Sequence, residues 1–292
     1  MAHIEIDGQD ATVAQLRAAS VAHYGHFTAM QVRDRRVRGL DLHLARLDAA
    51  NREMFGAGLD TAQLRHQVRH ALSARGDTLP SRGQAPGPYG PEPPDGPKAP
   101  VTSSPAPWPS ETSRDASVRI SVYETPDGTA VMVTVRPPAG PPATPWRLRT
   151  VPYQRPLAHI KHLADFGQSY FRRLVLRNQF DEALLTGAAG AISEGSITNI
   201  AFADGDGLVW PSAPALAGIT MQILERALPR HGVSSRHAPV HTADLEAFTA
   251  AFVTNSHGIA PVGQIDDLVL PVDDTLTRLL TETYESAAWD PI

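Results

Sequence analysis

Apolar positions recur at helical or strand spacing along most of the chain, with one long interval where the pattern fails. Over residues 41–56, Leu44, Leu47 and Phe55 fall toward one face, and Leu64, Val68 and Leu72 repeat that spacing over 61–75, so both stretches predict amphipathic helices. Strand-like runs follow at 118–122 and 130–135, with Pro126, Asp127 and Gly128 as turn residues between them. Further along, a strand is expected at 147–152, a helix at 165–180, and a strand at 182–186 that enters a turn at 187–190. Strands at 200–203 and 208–210 flank Asp204-Gly205-Asp206-Gly207, a hairpin signal. Helices at 218–231 and 273–287 stand either side of a strand at 250–254. This mixture predicts an α+β chain, and no internal repeat is evident.

The pattern fails at 76–115, where 11 of the 26 prolines fall between Pro80 and Pro109. Such a segment lacks the apolar surface to offset its ordering entropy, so it is expected to be a disordered or polyproline-like insertion without chemistry of its own. A role for 91–97 as a proline-rich ligand is the less economical reading. A second proline cluster at 137–145 is expected to be an interdomain linker. The expected organisation is a small domain over 1–136, interrupted by the insertion, and a larger one over 146–292.

Composition narrows the function classes. The 292 residues carry a formal net charge of -5, with no basic surplus to attract phosphate backbones, so nucleic acid is not an expected partner. There is no cysteine, which removes thiolate nucleophiles and cysteine metal sites. No stretch is long and apolar enough to span a bilayer, and the first ten residues alternate Ile4 and Ile6 with polar groups, so a cytoplasmic protein without a membrane partner is expected. His66 and His70 are spaced to share a metal from one helix face, but no acidic ligand follows at a recognisable spacing, and a solvated face with Arg65 and Arg69 accounts for them. His237 and His241, before Asp244, have the same standing, so no metal is expected.

Lysine is scarce: only Lys98, inside the proline-rich segment, and Lys161 occur. A chain that meets its need for positive charge with arginine has little structural use for one lysine within Leu157-Ala158-His159-Ile160-Lys161-His162-Leu163. Burial lowers an amine's pKa, which a Schiff-base lysine requires, although a strand-end lysine with an exposed tip would account for Lys161 taken alone.

The order of the surrounding motifs resembles the class IV aminotransferases. The likeness runs through Tyr24-Gly25-His26-Phe27-Thr28-Ala29-Met30, His43-Leu44-Ala45-Arg46-Leu47, His159-Ile160-Lys161-His162-Leu163 and Asp181-Glu182-Ala183-Leu184-Leu185. It closes with Ile192-Ser193-Glu194-Gly195-Ser196-Ile197-Thr198-Asn199-Ile200, Gly218-Ile219-Thr220 and Val253-Thr254-Asn255-Ser256. The resemblance implies a two-domain, fold-type IV enzyme of pyridoxal 5'-phosphate, with the cofactor in the cleft between domains and a homodimer completing the site. It further implies that Lys161 holds the cofactor as an internal aldimine and moves the Cα proton. Glu194 would pair with the ring nitrogen, and Arg46 would grip the phosphate. The amides of Ile219 and Thr220 and the residues Thr254, Asn255 and Ser256 would complete the phosphate site, with Thr254 and Ser256 ranked above Asn255.

The reaction is less constrained. The family includes transaminases, with an amino acid or amine donor and a 2-oxo acid acceptor, and a lyase branch that converts 4-amino-4-deoxychorismate to p-aminobenzoate and pyruvate. The strand Val118-Arg119-Ile120-Ser121-Val122-Tyr123-Glu124 lacks the arginine-glycine ending common in relatives, and Phe166 stands where branched-chain enzymes carry tyrosine. Phe27-Thr28-Ala29 and the Lys161 segment are similar to the lyases, whereas the Glu194 segment is similar to the transaminases. Aminotransferase is the first reading, the lyase the second, and a non-catalytic scaffold with a proline-rich interaction element the third. Tyr24, His26, Thr28, Arg119 and His257 are the candidate substrate-facing groups.

Overall fold

Strand-forming alternation in the N-terminal part gathers into one five-stranded antiparallel sheet in the computed structural model of the chain, which describes residues 2–74, 114–141 and 144–292. The elements up to residue 136 are β1 (His3–Ile6), β2 (Gln9–Asp10), α1 (Val13–Val21), β3 (Gly25–Val32), β4 (Arg36–Arg38), α2 (Leu40–Phe55), α3 (Thr61–Ala74), β5 (Ala116–Thr125) and β6 (Gly128–Arg136). Strand order is β2-β1-β6-β5-β3. Of the stripe foreseen on α2 and α3, Leu47, Leu64 and Val68 close over Val118, Ile120, Val133 and Val135 of the sheet, with Leu44 and Leu72 packed against them, while Phe55 lies against Tyr24 and His26. Full burial of each such side chain is worth roughly 1.5–3 kcal/mol.

A second, mixed sheet of nine strands holds most of the remaining chain. Its run is β7 (Trp146–Pro152), α4 (Phe166–Arg177), β8 (Glu182–Thr186), β9 (Ile192–Gly195), β10 (Asn199–Ala203), β11 (Leu208–Pro211), α5 (Ile219–Ala227), β12 (Ser235–Ala238), β13 (Ala250–Asn255), β14 (Gly258–Ile265), β15 (Leu268–Val269), α6 (Asp274–Glu285) and β16 (Trp289–Pro291). The order is β12-β11-β10-β13-β14-β7-β8-β9, with β15 beside β14 and the pairs β14/β7, β7/β8 and β11/β12 parallel. Its core is formed by Leu148, Leu184, Phe202, Val253 and neighbours on one face and by Trp210, Leu224 and Phe252 on the other. The C-terminal β16 returns to pair with β4, and the Arg38 guanidinium lies 4.0 Å above the Trp289 ring centroid.

The expected helices and strands are present with ends shifted by a few residues. The helix foreseen over 218–231 stops at Ala227 and tightens into a 3₁₀ turn, Leu228–His231, where Pro229 supplies no N–H. Of the several strands that were not foreseen, β3 and β14 are the longest. The buried face of β3 carries His26 and Thr28, so its alternation is not one of apolar and polar residues, and β14 is interrupted by Pro261 and Gly263. The insertion foreseen at 76–115, with its 91–97 segment, lies outside the described residues apart from Arg114 and Asp115. Residues 137–145 join β6 to β7 without helix or strand among those described. No described helix is long and apolar enough to cross a membrane.

Candidate active site

After β7 the chain turns through Pro156 and Leu157, the latter at φ 47°, and then runs antiparallel along β3. Phe27 N donates to the Lys161 carbonyl and Leu163 N to the Gly25 carbonyl, both at 2.8 Å, and His162 faces His26 in an isolated bridge. Lys161 therefore sits on a short strap against β3, not on a strand: Pro152 and Pro156 remove ladder donors just upstream. Gly25 permits the approach, since a Cβ there would overlap the Val122 carbonyl and crowd Leu163. The strap brings Lys161 to a cavity of about 430 Å³ between the two sheets.

One wall is built around a buried ion pair. Arg155, 5% exposed, places Nε 2.9 Å from Glu194 Oε1, and the other Glu194 oxygen accepts from Leu216 N at 3.0 Å. The same guanidinium donates to the carbonyls of Ile160, at 2.8 Å, and Ala158, the residues leading into Lys161. Arg155 thus ties the lysine strap to the Glu194 strand and leaves each Glu194 oxygen with a second lone pair. Burial pushes the Lys161 amine down to about 7, helped by the cations Arg46 and Arg155 and opposed by Glu194. Near neutral pH a substantial fraction is therefore the free amine.

At the other end the donors converge as they would on an anion. Arg46 reaches across from α2 and donates through Nη2 to Thr28 Oγ1 at 2.5 Å, while its Nε is buried without a partner among the described residues. Thr28, having accepted, has its own proton to give, and His43 Nδ1 lies 2.7 Å away. Burial, then Arg46 and Lys161, hold the pKa of His43 well below its usual range, so the ring is neutral and has a lone pair to offer. Arg46 is drawn down to about 10 by burial and by Arg155, and stays charged.

Opposite Arg46, α5 begins at Gly218, and its first-turn amides at Ile219 and Thr220 have no carbonyl one turn back. A Cβ at Gly218 would overlap Asn199 Oδ1, so only glycine brings the helix start this close. Thr220 Oγ1 donates to the Asn255 carbonyl at 2.6 Å, which anchors the helix start to the end of β13. Thr254 Oγ1, also in the lining, is buried without a partner among the described residues. An arginine, helix-start amides and an orphaned hydroxyl form a site suited to a doubly charged oxyanion.

The foreseen cofactor set, Arg46, Lys161, Glu194, Ile219, Thr220, Thr254, Asn255 and Ser256, all lines this cavity. The substrate candidates divide. Arg119 and His257 line it, but Tyr24, His26 and Thr28 do not. Tyr24 donates to the Met54 carbonyl, His26 pairs with Asn51, and Thr28 holds Arg46. His26 and Thr28 stand on the α2 side of β3, whereas the alternate positions Phe27, Ala29 and Gln31 face the cavity. Phe166 is 80% exposed, and the α4 side chain that reaches the cavity is Gln168, whose Oε1 is buried without a described partner. His70 pairs with Glu5 from β1 rather than with His66, and His237 with Glu225. Arg155 and Arg136 were not foreseen; an arginine in an irregular loop or at a strand end carries no periodic signal.

The protein-family model described as "Amino-transferase class IV" matches residues 25–265. No curated protein gives a significant match. Among solved structures, a hypothetical aminotransferase from Mycobacterium tuberculosis in its PLP-bound form is 18% identical, with 98% of each chain covered and a TM-score of 0.73. The branched-chain aminotransferase of Thermoproteus uzoniensis with norvaline is 17% identical over 97% of this chain and 93% of its own, with a TM-score of 0.74. A candidate 4-amino-4-deoxychorismate lyase from Legionella pneumophila is 16% identical over 90% of each chain, with a TM-score of 0.68. These likenesses show a shared α+β fold, and the family match takes in strands of both sheets and all of the foreseen cofactor set; the chain belongs to the class IV aminotransferases.

Proposed function

We propose that the chain is a pyridoxal 5'-phosphate-dependent aminotransferase that takes an amino acid or amine donor and a 2-oxo acid acceptor. One observation carries this reading: the amine of Lys161, lowered to about 7, shares one cavity with the Glu194 carboxylate and the anion site of Arg46 and α5. A solved relative from M. tuberculosis is described with alpha-ketoglutarate and PMP bound, which fits both halves of the reading.

When bound, pyridoxal phosphate supplies a ring that accepts the electrons of a bond broken at the substrate's Cα. Arg46, the amides of Ile219 and Thr220, and the hydroxyls of Thr254 and Ser256 would hold its phosphate. Glu194, kept in place by Arg155 and Leu216 N, would hold a proton at the ring nitrogen. Lys161 carries the proton at Cα: an amine poised near 7 both takes and returns a proton at neutral pH. Arg119, braced against the Phe27 ring at 3.6 Å, would orient the α-carboxylate, with His257 across the cavity. Part of the likeness to the lyases runs through Phe27-Thr28-Ala29, and Thr28 is turned toward Arg46 and His43, which supports the transaminase.

Phe166, Tyr170 and Leu174 follow one another at four-residue spacing on α4, all exposed, beside the cavity-lining Gln168. Such an apolar stripe supports a homodimer as the working form. Two measurements test the whole reading. Adding the cofactor should produce a visible absorbance band with wild type and none with Lys161→Ala. Glutamate or alanine should then discharge that band, and a 2-oxo acid restore it. Release of p-aminobenzoate and pyruvate from 4-amino-4-deoxychorismate without an acceptor would decide for the lyase instead.

A further inference from the structure

The cavity holds more positive charge than its own acids and one phosphate account for. Arg155 is engaged by Glu194, and Arg38 donates to the carbonyls of Glu285 and Ala287 while stacking on Trp289. Arg46 faces the anion site at the start of α5. Arg119 and Arg136 remain. Ser117 pairs with Gln31 on one side and with Arg136 on the other, and Arg119 pairs with Ala29 and Thr134, so the two arginines are diagonal neighbours on the cavity face of β5 and β6.

Diagonal side chains on one sheet face stand about 7–8 Å apart, within reach of long residues. Burial lowers the pKa of Arg119 most; Asp165 then raises it, and Arg136 lowers it by the smallest of the three effects, so the two arginines repel across the sheet face. Asp165, which lines the same cavity, offsets that repulsion without forming an ion pair with either arginine, and among the described residues no other carboxylate pairs with them. Two like charges kept side by side in a cleft are a cost that an anion between or beside them relieves.

Their depths differ. Arg119 is half-buried and shares the Phe27 ring with Lys161, whose Nζ lies 4.9 Å from that ring's centroid; Arg136 is exposed, at the end of β6. A ligand whose reacting carbon lies at Lys161 and whose α-carboxylate meets Arg119 would extend its side chain toward Arg136. Resting on the reading of this pocket as one for an amino acid or 2-oxo acid, we propose that Arg136 is a specificity-determining residue that binds a second, side-chain carboxylate, so that dicarboxylic substrates are selected over monocarboxylic ones of equal length.

The test is equilibrium binding by calorimetry of glutarate against pentanoate, at low and high salt, to wild type, Arg136→Gln and Arg119→Lys, each with and without added pyridoxal phosphate. Wild type should prefer glutarate by about tenfold, as one partly solvated charge-assisted contact provides. Arg136→Gln should abolish that preference while pentanoate binding changes less than about twofold, and high salt should shrink the preference in wild type alone. Arg119→Lys should weaken both ligands together. Equal affinities in wild type, or an undiminished preference in Arg136→Gln, would overturn the assignment. The visible band on cofactor addition is read separately: its failure with wild type would sink the aminotransferase reading, while the glutarate preference of the unloaded protein still decides for or against Arg136.

Discussion

Arg155 Nε lies 2.9 Å from Glu194 Oε1, with both side chains buried, so the group proposed to face the ring nitrogen is joined to the segment that carries Lys161. Removing one partner of a buried pair leaves the other charge uncompensated, at a cost of about 3–5 kcal/mol. Arg155→Met should lower the free energy of unfolding by that amount in urea titrations. Arg155→Met combined with Glu194→Gln should regain a large part of it, because no lone charge then remains. Purely additive losses would show that the two residues are not a coupled pair.

The Lys161 amine should titrate near 7, some three units below an ordinary lysine at about 10.4. Acylation with a limiting amine reagent, followed across pH 5 to 11 by peptide mass spectrometry, reads this directly, and with only two lysines in the chain the labelled peptide is unambiguous. Burial is the largest cause and the neighbouring cations come after it, so the Arg155→Met/Glu194→Gln protein should keep the amine well below the ordinary lysine range. An amine that titrates near 10 in wild type would contradict the described surroundings of Lys161.

Thr28 was foreseen facing substrate and instead orients Arg46. Thr28→Val removes a hydrogen bond to a charged group while preserving shape, so pyridoxal phosphate affinity should fall by about 1–1.5 kcal/mol, roughly five- to tenfold. Arg46→Ala removes the charge as well and should cost on the order of a hundredfold. Equilibrium dialysis with the cofactor separates these outcomes, and an unchanged affinity in Thr28→Val would show that Arg46 does not depend on it.

What sequence reading reached, and what it did not, follows from local versus tertiary causes. Lys161 stood out because lysine is rare, and Ile219 and Thr220 because a helix start has a local signature. No strand was expected over 25–32, so nothing in the alternation told which side chains face the cavity; His26 and Thr28 were named from motif likeness, and the pleat turns them to α2 while Phe27 and Ala29 line the cavity. Arg155 and Arg136 become meaningful only when distant segments meet: Arg155 with a carboxylate 39 residues on, and Arg136 with a neighbour on the adjacent strand. Phe166 shows the converse, a position chosen by likeness whose side chain turns to solvent while Gln168 takes the cavity.

Glu182 makes the protein's stability depend on pH. It is fully buried at the start of β8; Oε1 accepts from the Ser196 hydroxyl and amide and from Ala183 N, Oε2 has no described partner, and Arg172 Nε is 4.0 Å away. Burial outweighs those contacts and pushes the carboxyl up from 4.5 to about 7. Because the folded state binds this proton more tightly than the unfolded chain, the contribution is fully present below about 4.5 and is lost as pH rises through 7. The loss is on the order of 3 kcal/mol across that window. Wild type should therefore become less stable relative to Glu182→Gln between pH 5.5 and 8.5, a neutral amide having no proton to lose. Urea midpoints of both proteins at pH 5.5, 7 and 8.5 measure this; parallel curves would mean that Glu182 stays ionised throughout.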